Sequence, residues 1–355
     1  GVITLYFLSY FFPIFNEWPE SFFASPANII SNGLDTFIFN FGSQIDYFKQ
    51  IAFFFIMLPI KIGLQFSVSP YTWGFELTPT LISGYFILMG LLAVWLFIKG
   101  SRNLSIGIIL FSIFFYFGLT NMPWLPLILI YGLIGYKIGG LSLALSIILG
   151  LSFITLTGVL PQALLSIYLC GIAVIVSFLI GSSLGIWAAH NDRVSAFMRP
   201  INDTMQTMPS FVILIPFVMI FKIGEFTALL AIIAYAFVPA MRYTEHGLRN
   251  LPETVIEAAK MIGCSNSQLL WKVKIPLAFP VIMLGLNQTI MFGLAMLVIA
   301  ALVGTTGLGQ LIYIGLSKAN FGLGMIAGVS IAIIAILFDR VTQALKIKLE
   351  KNYNR

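Results

Sequence analysis

Long apolar runs separated by short polar loops constrain this chain more than any other feature. Residues 163–189 and 277–303 are clear examples, and a bilayer crossing needs roughly 20 apolar residues. Backbone N–H and C=O groups in lipid must be bonded within the spanning structure, so such runs form helices or a closed barrel. Barrel strands alternate in polarity over about ten residues, whereas these runs are continuous. The sequence therefore predicts an all-α integral membrane protein.

Charged residues are scarce and unevenly placed. They make up 9% of the 355 residues, against roughly 25% in soluble domains, and the net charge is +6. The basic residues cluster in short loops and at the C-terminus. This pattern predicts cytoplasmic loops and contact with the lipid membrane, with no nucleic acid partner. The acidic region 13–78 then lies on the outer face.

The runs divide the chain into four predicted regions. The first is amphipathic and interfacial, the second adds transmembrane helices, the third is a core with five transmembrane helices, and the fourth is a basic cytoplasmic tail. These regions are 1–78, 79–160, 163–343 and 344–355, with a cytoplasmic loop at 242–276 in the core. The predicted spans are 80–98, 104–119, 125–136, 141–160, 163–189, 209–221, 226–241, 277–303 and 322–337. The stretch 51–66, which contains Pro59 and Lys61, is either a poor span or a surface helix.

A polar island interrupts the apolar runs at 257–276. Its first six residues are mostly good helix formers, and Gly263 is a natural residue to follow the end of a helix. Ser265 and Gln268 have the spacing of a capping box, in which each side chain bonds an amide at the start of the next helix. The island therefore predicts two short helices joined by a turn, with Pro276 closing the unit before the next span.

The same island resembles the cytoplasmic loop of permease subunits in binding-protein-dependent ABC importers. That loop has the form Glu-Ala-Ala, three residues, Gly, nine residues, Ile-x-Leu-Pro, and this chain keeps the spacing with Val and Ile at the two aliphatic positions. The matching residues are Glu257, Ala258, Ala259, Gly263, Val273, Ile275 and Pro276. The alternative is an ordinary amphipathic loop between two spans.

Two further stretches, 200–224 and 285–310, are similar to the glycine betaine/proline betaine branch of these importers, and the similarity covers about 163–343. It implies the transmembrane domain of a type I ABC importer with extra N-terminal helices, crossing a bacterial inner membrane several times, with 1–78 mostly periplasmic. The implied partners are ABC ATPase subunits, a periplasmic substrate-binding protein and a second permease copy, which gives a homodimer. ATP and Mg would bind the ATPase, so this chain would hold no cofactor and catalyse no reaction.

The resemblance also implies a role for the island. Its first helix would lie along the membrane and dock into a groove of the ATPase, where Glu257 pairs with a basic residue or caps a helix. Ala258 and Ala259 would permit close backbone approach, and Gly263 would supply the turn. The residues assigned to coupling are these four with Ser265, Gln268, Leu269, Val273, Ile275 and Pro276.

Polar residues within the apolar runs are candidates for a translocation path, because uncompensated polarity in lipid is costly. The candidates are Gln206, Thr207, Asn287, Gln288 and Thr289. Two interpretations stay open. These side chains either make hydrogen bonds between helices, which are worth well under 2 kcal/mol each, or line a polar path that binds its cargo weakly.

Motifs for other chemistry are absent from the sequence. There is no Gly-x-x-x-x-Gly-Lys-Ser/Thr nucleotide loop, no His-Glu-x-x-His and no paired Cys-x-x-Cys. We predict no catalytic residue and no metal site. Cys170 and Cys264 are predicted to be free thiols, and His190 and His246 to be satisfied histidines at cytoplasmic helix ends.

Rival functions belong to two other classes. A secondary transporter or channel for a small osmolyte would need coupling carboxylates in mid-span, but Asp and Glu here lie in loops or at span ends. A membrane enzyme would need a clustered acid–base or metal site near one face. The substrate itself is left open among glycine betaine, choline, carnitine, trimethylamine N-oxide, proline betaine and sulfonium analogues.

Overall fold

The computed structural model describes residues 26–61, 79–98 and 124–353, together with 105, 106, 108, 109 and 112. Regular structure in these residues is helical and none of them lies in a strand, which confirms the all-α prediction. The first 25 residues, residues 62–78, most of the predicted span 104–119 and the basic residues Lys99 and Arg102 lie outside the described residues.

The helices are numbered here in chain order. They are α1 Pro26–Ala52, α2 Pro79–Ile98, α3 Trp124–Leu156, α4 Leu160–His190, α5 Asp192–Thr207, α6 Ser210–Phe221, α7 Glu225–Arg249, α8 Glu253–Met261, α9 Asn266–Gln268, α10 Ile275–Ala300, α11 Leu308–Ser317 and α12 Phe321–Tyr353. In the described part of the chain, 5 helical runs are long and apolar enough to cross a membrane. These runs are Ile128–Leu156, Leu160–His190, Glu225–Arg249, Asn266–Val303 and Phe321–Lys348.

The N-terminal region, predicted to be amphipathic and interfacial, contains one long helix. α1 passes into a π-helical turn at Phe53–Met57, and the chain stays helical to Lys61, so Pro59 does not end it. The Lys61 side chain is buried and its ammonium group lies 2.6 Å from Glu225 Oε1. Thr306 donates to the same oxygen at 2.9 Å. A buried ammonium group needs such a partner, because its desolvation is otherwise uncompensated.

α3 is folded back on itself at Gly140. This glycine has φ +78° and ψ −166°, which lie outside the helical range. A Cβ added at Gly132 would lie 2.7 Å from the Ile148 side chain, although in a straight helix these residues would be about 24 Å apart. The two arms are therefore antiparallel and in contact, so the run Ile128–Leu156, counted above by length and composition, is not one straight crossing. The turn falls between the predicted spans 125–136 and 141–160.

α4, α7 and α10 pack together at the centre of the described core. A Cβ at Gly181 would lie 2.5 Å from the carbonyl oxygen of Phe237, and one at Gly185 would lie 2.6 Å from that of Met241. A Cβ at Gly285 of α10 would lie 2.8 Å from Cβ of Tyr243 in α7. Small residues permit such approach in membranes, where association depends on packing. The three helices therefore form one tightly packed unit, which we call the central bundle.

A sharp bend separates α5 from α6. The two helices meet at 104°, with Met208 and Pro209 in extended conformations between them. α6 has 12 residues, fewer than a bilayer crossing requires. The predicted span 209–221 is therefore too short to cross alone, and a crossing here needs both helices.

α12 continues well past the predicted end of the last span. It runs unbroken from Phe321 to Tyr353, so the span 322–337 and most of the tail 344–355 form one helix. Ala, Leu, Lys and Glu after residue 343 are good helix formers, which explains the extension. Residues 304–320, between the predicted spans 277–303 and 322–337, contain α11.

Candidate functional site

The polar island has the turn that its sequence predicts. α8 is followed by Gly263 at φ +87°, a conformation that favours glycine. The Gly263 N–H donates to Lys260 O at 2.9 Å, and the Cys264 N–H donates to Ala259 O at 3.3 Å. These two bonds define a Schellman motif, which satisfies the last carbonyls of the helix. The direction in which the chain leaves α8 is thus set by local bonds.

The capping box is also present. Ser265 N–H donates to Gln268 Oε1 at 3.0 Å, and Gln268 N–H donates to Ser265 Oγ at 3.3 Å. Contrary to expectation, Pro276 does not close the unit, because a π-helical turn at Leu269–Lys274 leads directly into α10. The wider turn accommodates the proline, which lacks an N–H and would crowd an ordinary helical turn. The island is therefore joined to α10 without a flexible link.

The exposed surface of the island differs from the one expected from sequence. Ala259 and Leu269 are buried within the chain, so the Ala259 side chain is not available to contact a partner. Large apolar side chains are exposed instead, with Met261 at 89%, Ile262 at 84% and Trp271 at 64%. Glu257 and Ala258 are also exposed. None of these three apolar residues is among those predicted for coupling, although large apolar side chains in a polar island are a signal of exposure. Exposed apolar patches outside the lipid mark interaction surfaces.

The two helices that flank the island in the chain, α7 and α10, are packed against each other. Leu248, Ala278 and Ile282 form a small buried cluster, in which the end of α7 contacts the start of α10. A Cβ at Gly247 would lie 3.1 Å from Val281. α8 lies between these two helices in the chain, and the π-helical turn joins the island directly to α10.

Ionic contacts fasten the ends of α4, α5 and α7 on the same face. Arg249 donates to Asp192 at 2.8 Å, to Glu245 at 3.0 Å and to the Ala188 carbonyl at 2.6 Å. Ser195 donates to Glu245 at 2.6 Å. Charged groups on separate helices are thus linked in a network, which is stronger than isolated surface pairs.

The two histidines lie at helix ends on this face, as predicted. His190 is the last residue of α4, and its Nδ1 lies 2.8 Å from the Ile186 carbonyl. His246 lies in the last turn of α7 and contacts Asn250. These local contacts agree with satisfied histidines.

A polar cavity of about 490 Å³ lies between α5, α7 and α10. Its lining is Gln206, Pro239, Arg242, Tyr243, His246, Gln288 and Phe292. The fold thus brings together Gln206 and Gln288, which are 82 residues apart in sequence (288 minus 206). Arg242 makes an ion pair with Asp203 of α5. The lining offers amide, phenol and guanidinium groups, which bind carboxylates and carbonyl oxygens.

The other three path candidates do not line this cavity. Asn287 donates to Asp339 at 2.6 Å and accepts from Thr342 at 3.1 Å, so it links α10 to α12. Thr289 is buried and donates to the Gly285 carbonyl of its own helix at 2.8 Å. Thr207 is exposed and donates to Asp203 O at 2.9 Å. For Asn287, the geometry favours the interhelical interpretation.

The described residues contain no group of three or more His, Cys, Asp and Glu placed to hold a metal ion. Both cysteines are free thiols, with Cys170 buried in α4 and Cys264 partly exposed in the island.

Comparison with known proteins gives a family match over 181–351, to the binding-protein-dependent transport system inner membrane component. The glycine betaine/proline betaine transport system permease protein ProW of Escherichia coli is 39% identical over 226 residues, covering 64% of this chain and 64% of that protein. The glycine betaine transport system permease protein OpuAB of Bacillus subtilis is 37% identical over 237 residues, covering 67% of this chain and 84% of OpuAB. The trimethylamine N-oxide transport system permease protein TmoV of Pelagibacter ubique is 44% identical over 217 residues, covering 61% of this chain and 30% of TmoV. The match spans less than two thirds of ProW, both from Escherichia coli and, at 61%, from Salmonella typhimurium.

Proposed function

This chain belongs to the family of inner membrane components of binding-protein-dependent transport systems, and we propose that it is the permease subunit of an ATP-driven ABC importer. The proposed cargo is a small compatible solute, glycine betaine or a related quaternary amine or methylamine. The names of the relatives support this class, since they include glycine betaine, proline betaine and trimethylamine N-oxide permeases. The proposed location is a bacterial inner membrane.

The observation that carries the proposal is the exposed apolar surface at the island's rigid turn. Met261 and Ile262 immediately precede Gly263 and are almost fully exposed, and Trp271 adds a third large side chain. This surface suits a partner protein, and the surrounding motif is the one that docks on an ATPase in the importers that it resembles. In our proposal ATP and Mg bind that ATPase, and this chain receives the movement.

Transmission follows from the way the island is attached. Closure of the ATPase pair would displace the island, which continues into α10 through the π-helical turn. The buried cluster of Leu248, Ala278 and Ile282 would then pass the displacement from α10 to α7. Because the central bundle is packed backbone to backbone, it would move as a body and change which side of the membrane the path faces. Two permease copies, proposed to be identical, would enclose the path.

The polar cavity is the proposed inner part of that path. Gln206, Gln288 and Tyr243 offer hydrogen bonds to a carboxylate, while Arg242 is already paired with Asp203. A carboxylate would therefore bind here weakly, which suits a cargo that must be released. High-affinity selection would fall to a periplasmic substrate-binding protein.

The second candidate is a secondary transporter without an ATPase. Its characteristic would be a titratable carboxylate in mid-span. Glu225 is a partly buried carboxylate, but it begins α7 and is neutralised by Lys61. This arrangement favours a structural role for Glu225, and therefore the ABC permease.

Reconstitution with the cognate ATPase tests the proposal. The chain and the ATPase are co-purified and placed in liposomes with the binding protein outside, and uptake of labelled glycine betaine is measured. We expect uptake that needs hydrolysable ATP on the ATPase side. Uptake without the ATPase, driven by an ion gradient, would favour the secondary transporter. Competition by unlabelled osmolytes for the isolated binding protein then identifies the cargo.

A further inference from the structure

An apolar groove of about 380 Å³ runs between α3, α4 and α12, and it shares no lining residue with the polar cavity. Ile134 and Ile138 line it from the first arm of α3, Leu164 from α4, and Leu337 and Val341 from α12. Ile134 is 46% exposed, so the groove is accessible from the lipid-facing surface of the chain.

One end of the groove is basic. Ile138 follows Lys137, and Val341 follows Arg340, so cationic residues adjoin the lining on both helices. The Lys348 ammonium group donates to the Lys137 carbonyl at 3.1 Å, which brings these two lysines to the same place. Both are exposed. By the distribution of basic loops, this end faces the cytoplasm.

Among the groups whose contacts are described, acidic residues do not neutralise the positive charge at this end of the groove. Asp339 is the acidic residue of α12 closest to the lining, and it accepts from Asn287 at 2.6 Å and from Gln343 at 2.9 Å. Its bonds point it towards α10, which does not line the groove. The cytoplasmic end of the groove thus has a positive field beside its apolar lining.

We propose that the groove binds an anionic glycerophospholipid of the inner leaflet. An acyl chain would occupy the apolar groove, and the phosphate would lie against Lys137 and Lys348. Basic pockets between membrane helices on the cytoplasmic side suit such headgroups, because the charge and the apolar surface are matched together. The lipid would join the α3 arms to α12, and this role does not depend on the proposed transport function.

Two protein occupants match the groove less well. The chain's own segment 104–119 is apolar but contains no acidic residue to meet the lysines. A second copy in a two-fold contact would bring the same basic residues to the same end, and like charges repel. Charge complementarity therefore favours the lipid.

Binding measurements with the full-length chain test the proposal. The purified protein in neutral detergent is titrated with dioleoyl phosphatidylglycerol or dioleoyl phosphatidylcholine and followed by native mass spectrometry. We expect tighter binding of the anionic lipid. Replacing both lysines (Lys137→Gln and Lys348→Gln) should weaken it about 30-fold, and either change alone about fivefold. The control Lys272→Gln with Lys318→Gln removes two exposed charges elsewhere and should leave the affinity unchanged.

A second pair of variants tests whether the lipid occupies the apolar groove. Ile134→Trp should obstruct the groove and weaken binding of both lipids, while the neighbouring Leu133→Trp, on a residue outside the lining, should not. Equal affinity for the two lipids, or an unchanged preference in the double lysine variant, would overturn the proposal. So would a disulfide formed in membranes between cysteines at Ile138 and within 104–119, or between two copies at Ile138, because protein would then fill the groove.

Discussion

Two of the helix contacts made through glycine in the described residues differ in what faces the glycine. In the contact between α4 and α7, a Cβ at Gly181 would meet the Phe237 carbonyl oxygen at 2.5 Å. In the contact between α3 and α12, a Cβ at Gly150 would meet the Ile333 side chain at 2.7 Å and that of Leu337 at 3.2 Å. A side chain can change rotamer, whereas a carbonyl moves only with its helix. The first contact is therefore rigid and the second adjustable.

The difference corresponds to what each region is proposed to do. A rigid contact passes movement from the coupling island to the path, because the central bundle cannot absorb the displacement internally. An adjustable contact beside an apolar groove can accommodate a lipid chain, because Leu337 lines the groove as well as facing Gly150. Transmission and lipid binding thus require opposite kinds of packing.

Breaking the rigid contact should have the largest effect. Gly181→Leu forces α4 and α7 apart, and we expect a loss of about 3 kcal/mol in stability, at the upper end for overpacking. The measurement is the melting temperature and yield of the purified protein. Gly171→Leu on the same helix is the control, since nothing lies within 4 Å of a Cβ there. Equal stability of the two variants would contradict a rigid α4–α7 contact.

The next largest effect should come from the island, which is proposed to pass movement to the rigid contact. Gly263→Asp places a side chain at φ +87°, and Glu257→Lys reverses an exposed charge without altering the fold. Each should lower ATP-coupled uptake about tenfold, the result of losing roughly 1.4 kcal/mol of interface free energy. ATPase stimulation and membrane insertion are measured in parallel. Ser267→Ala, an exposed change outside the motif, is the control. Normal uptake in both variants would rule out docking through this segment.

Within the bundle, neighbouring residues should separate by function. Gln288→Ala removes a hydrogen-bonding group from the cavity, and we expect the KM for uptake to rise about fivefold, equivalent to roughly 1 kcal/mol. Asn287→Ala removes a bond to α12, so it should reduce stability by about 0.6 kcal/mol and leave the KM unchanged. Initial uptake rates over a range of substrate concentrations distinguish them. A higher KM in the Asn287 variant alone would place the path on the other face of α10.

These neighbours show where sequence reasoning stops. Residues 287, 288 and 289 are adjacent polar residues in one apolar run, so the sequence treats them alike. On a helix, successive residues point about 100° apart. Asn287 consequently faces α12, Gln288 faces the cavity, and Thr289 is buried. Polarity identifies the segment, but the rotation of the helix decides the role of each residue.

Features that depend on local hydrogen bonds, by contrast, could be predicted from the sequence. The turn at Gly263 and the box between Ser265 and Gln268 depend on bonds across three to five residues, and so their signals lie within one short stretch. The ion pair of Lys61 with Glu225 joins residues 164 apart, and no pattern in either neighbourhood indicates it. Pro276 misled the prediction because a proline can follow a π-helical turn as well as end a helix.

The smallest effect should come from the adjustable contact. Gly150→Ala brings its new methyl group towards Leu337, which can turn away, and towards Cγ2 of Ile333, which can move only by a small shift because its χ1 is restricted. The change also replaces a glycine inside a helix. Overpacking and helix propensity then oppose each other, so we expect a stability change of less than about 1 kcal/mol. The matching change in the rigid contact, Gly185→Ala, places the methyl group 2.6 Å from the Met241 carbonyl oxygen and should be clearly more destabilising.

Melting temperatures of these two alanine variants, measured with and without added phosphatidylglycerol, give the finest test of the comparison. If Leu337 turns into the groove to make room for the methyl group, Gly150→Ala should weaken the lipid-induced stabilisation, whereas Gly185→Ala should preserve it. Equal destabilisation by the two changes would mean that α12 is held as firmly as α7. The distinction between a rigid contact that transmits movement and an adjustable one that holds lipid would then be lost.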